Sequence, residues 1–262
     1  MITFGLCAYN EEKSIARAIT SIVPQTGPGD EILIVASGCT DNTISVVTAI
    51  NDARIRIISE PVRSGKANAT NILVKNARGD IIIYMDADIV VDDHAVAYLL
   101  KHFRNPSIAA VSGRMIIRQD KTIFDRICAF SRQALHKEKM KDQRAKRFWA
   151  LNGYLFAFRK NRYIPLPATN LVEDALLGWL IYNKGGTIIY EPRAQAYEKA
   201  PQTLRDYINQ KTRIRVGWLQ MQREFHMPIG NTRNIGQISY LFTSPYAWLY
   251  IVLELVTWFF AR

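Results

Sequence analysis

The chain has 262 residues, 48% of them hydrophobic, with a formal charge of +11 at neutral pH. That length can bury a sizeable core and fits one large α/β domain with an appendage. Three cysteines, Cys7, Cys39 and Cys128, are odd in number and lack metal-ligand spacing, which excludes a disulfide framework and reads as reduced intracellular thiols. The charge calls for an anionic partner: nucleic acid, a phosphorylated substrate or an acidic membrane surface.

Ile2 to Ala8 reads as a first strand that begins almost at Met1, so no secretory signal is expected. Tyr9-Asn10-Glu11-Glu12 follows, then a helix over Ser14 to Val23 with Ile15, Ala18, Ile19 and Ile22 on one face. Glu31 to Val35 is a second strand. After Ser37-Gly38-Cys39, Thr40 or Asp41 would cap a helix toward Ile50. Arg54 to Ile58 is a third strand, and Gly65-Lys66-Ala67 opens a helix through Ala77.

Ile81 to Met85 is a short apolar run that ends on Asp86-Ala87-Asp88. Two hard carboxylate ligands at the carboxyl end of a parallel strand suit Mg²⁺ or Mn²⁺ carrying a phosphate. Strands alternating with helices at this interval predict βαβ units. Tyr9 to Glu11, Ser37 to Asp41 and Asp86 to Asp88 would then share one rim, with Lys66 near a helix start beside them as a phosphate contact.

Further on, Asp92 or Asp93 would cap a helix to Phe103, and Ile108 to Ile116 is another strand. Residues 124–148 mix apolar positions with Arg132, Lys137, Lys139, Lys141, Arg144, Lys146 and Arg147. This is a basic amphipathic segment, either a solvated face or one that lies on anionic headgroups. Tyr154 to Arg159 is a possible strand, and a helix over Thr169 to Asn183 carries Glu173-Asp174 at its head. Thr187 to Tyr190 is a strand, and Thr203 caps a helix holding Gln210 and Arg213 on one face.

The tail from Ile235 to Phe260 is the most apolar stretch, with Glu254 as its one acid and Trp248 and Trp258 as interfacial anchors. Ser244-Pro245 reads as a cap with proline at the first helical position, splitting off a helix of about 16 residues. One transmembrane helix and a re-entrant or interfacial hairpin are both open, as is a buried soluble helix. The expected place is the cell membrane, with the catalytic part on the cytoplasmic side.

Taken together and in order, Ala8-Tyr9-Asn10-Glu11-Glu12, Ser37-Gly38-Cys39-Thr40-Asp41-Asn42-Thr43, Gly65-Lys66, Asp86-Ala87-Asp88, Asn152 to Arg159, Glu173-Asp174, Tyr190-Glu191-Pro192 and Gln210 to Arg213 resemble the inverting family-2 glycosyltransferases of the GT-A fold, most closely the cellulose-synthase-like branch. The resemblance implies an α/β GT-A fold, a mixed, mostly parallel sheet between helices, as a catalytic domain over residues 1–220, with an interfacial or transmembrane segment over 221–262. It implies nucleotide-sugar contacts from Ala8, Tyr9, Glu11, Ser37, Lys66, Asp86, Ala87, Asp88, Gln210 and Arg213. Asp86 and Asp88 would hold a divalent cation, Mg²⁺ or Mn²⁺, and Asp174 would be the general base. Gly153, Glu173 and Trp218 would meet the acceptor.

Two departures bear on the substrate. Ala36 and Ser37 stand where the family carries paired aspartates, and Ile214 replaces the tryptophan that follows the arginine. The reading is addition of a single sugar to a lipid-linked polyprenyl glycan at a membrane, with no nucleic acid as partner. Mannose from GDP-mannose is the first expectation, and UDP-glucose or UDP-N-acetylglucosamine the near rival. A non-catalytic basic membrane adaptor would explain the charge but not Asp86, Asp88 and Asp174. A nucleotidyltransferase would need a glycine-rich triphosphate loop that the sequence lacks.

Overall fold

The structure, a computed structural model, describes residues 1–118, 121–147, 150–227 and 245–260. It divides into two compact units, Met1–Met115 with Ala150–Tyr197, and Ile116–Trp149 with Glu198–Arg262. The sequence-based boundary at residue 220 follows the character of the tail; contacts within the described residues group the chain differently, placing the basic segment with the C-terminal helices.

In the first unit, β1 (Ile2–Ala8) lies between β2 (Glu31–Ser37) and β4 (Ile81–Asp86), and β3 (Ile55–Glu60) flanks β2. All three of these pairings are parallel, with Cys7 opposite Asp86 and Ser37 opposite Glu60. Apolar runs buried on both faces dictate this: every residue of β2 is buried. Between them, α1 (Ile15–Ile22) covers one face through Ile15, Ala18, Ile19 and Ile22. On the other face α3 (Lys66–Asn76) packs so closely that a Cβ on Gly5 would stand 2.6 Å from the Leu73 side chain. One helix on each face is the consequence of right-handed crossovers on either side of β1. The helix expected after β2 is short, α2 (Thr43–Thr48), with Asn42 rather than Thr40 or Asp41 at its N-cap.

Beyond β4 the parallel order ends, so the sheet is mixed but not mostly parallel. Its strand order is β3-β2-β1-β4-β7-β6-β8-β5 over eight strands. Here β7 (Leu155–Arg159) runs antiparallel to both β4 and β6 (Ile108–Ile117), and β5 (Val90–Val91) runs antiparallel to β8 (Thr187–Glu198). Aromatic rings tie this half together: Tyr84 stacks on Phe156 at 5.1 Å, Phe156 on Phe158 at 5.7 Å, and Phe158 meets Tyr163 at 5.9 Å. Two expected bounds shift. The helix after β5 is α4 (Ala95–Leu100), followed by a 3₁₀ turn, and its N-cap is His94 rather than Asp92 or Asp93. The strand expected to stop at Tyr190 runs on to Glu198 through Pro192, with Ala194, Ala196 and Glu198 buried at alternate positions.

Among the described residues the second unit has three long helices. α5 (Ile123–Arg144) begins with a capping box between Thr122 and Asp125, and α7 (Leu204–Phe225) begins on Thr203, whose hydroxyl accepts from Asp206 N–H. In numbering order α6 (Glu173–Asn183) lies between them, in the first unit. α8 (Pro245–Phe260) starts at the proline expected from the sequence and is 16 residues long. It packs on α5 and α7 around Ile127, Cys128, Tyr207, Tyr250 and Leu253. Among the described residues no helix is long and apolar enough to cross a membrane. Residues 235–244, the other piece of the expected hairpin, lie outside those described.

Candidate active site

Chain geometry builds the site from strand-end loops and two helix starts, those of α3 and α6, in the first unit. The loops after β1 and β2 are stitched to each other. Asn10 takes a left-handed conformation (φ 55°) and its Oδ1 accepts from Thr40 N–H at 2.8 Å. Asp41 accepts from the N–H groups of Glu12 and Thr43, and Glu12 accepts from both nitrogens of Asn42. These carboxylates hold loops together.

Lys66 is the centre of the cluster. Gly65 (φ 88°) turns the chain into α3, so Lys66 stands in the first helical turn. Its Nζ lies 2.6 Å from Asp86 Oδ1 at the end of β4 and 2.8 Å from Glu173 Oε1 at the start of α6. Burial opposes the ammonium, but Asp86 and Glu173 outweigh that and hold its pKa well above the ordinary lysine value. Asp174, next along α6, accepts from Gly153 N–H, and its own Oδ1 accepts from Ala175 N–H at 2.8 Å. A Cβ at position 153 would stand 3.3 Å from Asp174 Oδ2, 3.4 Å from Lys66 Nζ and 3.5 Å from Asp86 Oδ2. Gly153 is therefore the one small position around which all three charged groups meet.

Asp174 titrates high, at about 6 against 3.8, through burial first and the neighbouring Glu173 charge second, with Lys66 pulling the other way. Three carboxylates face one ammonium, so the cluster carries excess negative charge. Asp88 is exposed on the turn just past Asp86, with Ala87 buried between them. Among the described residues no three His, Cys, Asp or Glu form a metal cluster. Two hard oxygen donors in a negatively charged rim fit Mg²⁺ or Mn²⁺ whose remaining ligands come from water and substrate phosphates.

The other expected positions divide. Ala8 is buried at the end of β1, and Tyr9 stands 39% exposed on the rim with the Arg63 guanidinium 3.9 Å over its ring. The Glu11 carboxylate accepts from the Ser14 hydroxyl and ties the start of α1. Ser37 is buried, and its Oγ accepts from Ser64 N–H at 3.2 Å. Gln210, Arg213 and Trp218 lie on α7 in the second unit, with Arg213 exposed. Arg63, Ser64 and Glu60 were not singled out in the sequence; their signal, two polar residues just ahead of Gly65-Lys66 and an acid closing β3, was present.

Residues 3–163 match the model of a known family, Glycosyl transferase family 2. The chain belongs to that family. This family-2 glycosyltransferase is 27% identical over 260 residues to the poly-beta-1,6-N-acetyl-D-glucosamine synthases of Staphylococcus epidermidis and Staphylococcus aureus. It spans 96% of itself but 63% of those relatives. Among solved structures it is similar to a mannosyltransferase from Pyrobaculum calidifontis in complex with GDP-Man and Mn²⁺, at TM-score 0.66 and 21% identity over 98% of this chain and 73% of that one. Glucosyl-3-phosphoglycerate synthase from Mycobacterium tuberculosis, in complex with Mn²⁺, UDP-glucose and phosphoglyceric acid, aligns at TM-score 0.62 and 19% identity over 88% of this chain and 81% of that one. These neighbours share the fold.

Asp174 is held in its native place at a cost to stability. Its raised pKa means that folding disfavours its charge, a penalty absent below about pH 4 and full above about pH 6. Compared with Asp174→Asn, which cannot titrate, the parent should lose melting temperature as pH rises from about 4 through 6 and level off above that. A difference between the two proteins that stays constant over this range would show that the carboxylate is not in the surroundings described.

Proposed function

We propose that the protein is a membrane-attached, metal-dependent inverting glycosyltransferase that adds one sugar from a nucleoside-diphosphate sugar to a hydroxyl of a lipid-linked glycan. The observation that carries this is Asp174, pinned by Gly153 N–H beside the Asp86–Lys66–Glu173 chain. The motifs from Asn152 to Arg213 support a place in the cellulose-synthase-like branch.

An acceptor hydroxyl is a poor nucleophile and needs a base that is ionised at working pH yet strong enough to take its proton. Asp174, with a pKa near 6, meets both conditions. Lys66 puts a fixed positive charge where a departing diphosphate gains negative charge. Its ion pairs to Asp86 and Glu173 keep the ammonium from swinging away. A divalent cation held by Asp86 and Asp88 would neutralise the diphosphate further. Asp86 and Glu173 are both ion-paired to Lys66, which leaves Asp174 as the carboxylate of this cluster read as the base, and a single base acting on the acceptor supports direct displacement, hence inversion. Gln210 and Arg213 are assigned to the donor diphosphate, and Trp218 to the acceptor, on their motif alone.

Attachment to the cytoplasmic side of the cell membrane is supported by α8. Its inner face packs through Tyr246, Leu249, Tyr250 and Leu253, and Glu254 pairs with Lys211 and Arg215 of α7. Its outer face leaves Trp248, Val252 and Leu255 at 57%, 52% and 65% exposure, spaced to share one helical stripe. A helix of this length is about 24 Å long, short of the roughly 30 Å hydrocarbon core, so the reading is a helix lying in the interface. Exposed Lys137, Lys141, Arg144, Lys146 and Arg147 in the same unit suit anionic headgroups.

Asp174→Asn should lower transfer about 10²- to 10⁴-fold while leaving donor binding intact. In the parent enzyme kcat/KM should fall about tenfold per pH unit below 6 and level off above it. Full transfer by the variant in a radiolabelled-donor assay would remove Asp174 as base. Vesicles containing anionic lipid should co-sediment the parent protein, and Trp248→Ser with Leu255→Ser should release most of it; equal sedimentation of both would contradict attachment through α8.

A further inference from the structure

The rim of β1 to β3 carries a second group of charged and aromatic side chains, away from the Asp86 cluster. Tyr9 offers an exposed ring covered by the Arg63 guanidinium at 3.9 Å. Arg63 reaches it because Gly38 (φ 65°) has no side chain: a Cβ there would stand 2.4 Å from Arg63 N. The Ser37 hydroxyl is consumed by this loop, since it accepts from Ser64 N–H and lies 3.4 Å from Ser64 Oγ. Ser64 Oγ in turn donates to Glu60, 2.9 and 3.0 Å from its two carboxylate oxygens. Glu60 and Ser37 are Cα partners on adjacent parallel strands, so their side chains leave the same face of the sheet.

Other carboxylates of this rim tie loops and helix starts together. Asp41 and Glu12 each hold backbone N–H groups of the neighbouring loop, and Glu11 holds Ser14. Glu60 shares one hydroxyl between two oxygens that together offer about four acceptor sites. Both of its oxygens keep acceptor capacity, and its side chain leaves the sheet on the same side as that of position 37, four residues from the hydroxyl of the loop that carries Arg63.

We infer that Glu60, with the Tyr9–Arg63 stack, reads the donor's nucleobase, and that this base is guanine. The inference rests on reading the protein as a nucleoside-diphosphate-sugar transferase and names the class of its donor. Guanine presents two adjacent donors, N1–H and the 2-amino group, that match two carboxylate oxygens side by side. Uracil presents a single N–H between two carbonyl oxygens, which would meet the second carboxylate oxygen with repulsion. Adenine sets one amino donor beside a bare ring nitrogen. A ring of any base can lie on the aromatic and guanidinium surface, so stacking supplies affinity and Glu60 supplies the choice.

Calorimetry on the full chain with Mn²⁺ and GDP, IDP or UDP tests this without any turnover. IDP lacks only the 2-amino group. GDP should bind about tenfold or more tightly than either IDP or UDP, the worth of one hydrogen bond to a charged group. Glu60→Gln should bring GDP down to the level of IDP and leave UDP within about twofold. Ser64→Ala, which removes the hydroxyl that orients Glu60, should weaken GDP more than UDP and serves if Glu60→Gln does not fold. UDP binding as tightly as GDP, IDP equal to GDP, or GDP binding unchanged in Glu60→Gln would each overturn the inference while leaving the transferase reading in place. Binding of none of the three nucleotides would instead overturn both.

Discussion

One ammonium between two carboxylates organises the catalytic unit. Lys66 joins the end of β4 to the start of α6, elements that no local interaction would bring together. A half-buried charge of this kind needs several supports. Gly65 permits the turn that presents Lys66, and Asn71 one turn further on fixes α3 to the 163–166 segment by accepting from Tyr163 OH and Leu166 N–H. Gly178 lets Leu151 come close to α6, where a Cβ would meet it at 3.0 Å, and so brings Gly153 to Asp174. The proposed function rests on this arrangement: Asp174, titrating at about 6, stands beside the Lys66 cation.

Much of this was legible in the chain because it is local. Strands β1, β2 and β4 are continuous apolar runs, and their polar ends had to share a rim once the βαβ order was recognised. Thr203 and Pro245 announced their helices by cap chemistry alone. What escaped was long-range or too short to show a period. Two residues of β5 have no periodicity, and β8 continues past Pro192 because its alternate residues are buried in the sheet, which only the folded neighbours reveal. The bonds that Glu11 makes to Ser14 and Ser37 to Ser64 were not legible either, because each depends on how a loop folds and not on spacing.

The second unit shows the same logic with a different balance. Glu254, the one acid in an apolar tail, looks misplaced in the sequence. Folded, it pairs with Lys211 and Arg215, while Lys211 also lies over the rings of Tyr207 and Tyr250. A half-buried charge with two cationic partners fixes which side of α8 faces inward, and leaves the stripe from Trp248 to Leu255 pointing out. Buried polar contacts thus select the orientation of an otherwise apolar helix, as they select the position of Asp174 in the first unit.

The central claim is that Lys66 and Glu173 act as one ion pair in placing the catalytic base. A double-mutant cycle on kcat/KM for sugar transfer, with Lys66→Met, Glu173→Gln and the combination, measures that directly. The combined variant should lose no more than the worse single variant, because each substitution already breaks the pair. Losses that simply multiply would show that the two side chains act independently, and the arrangement argued for here would not stand.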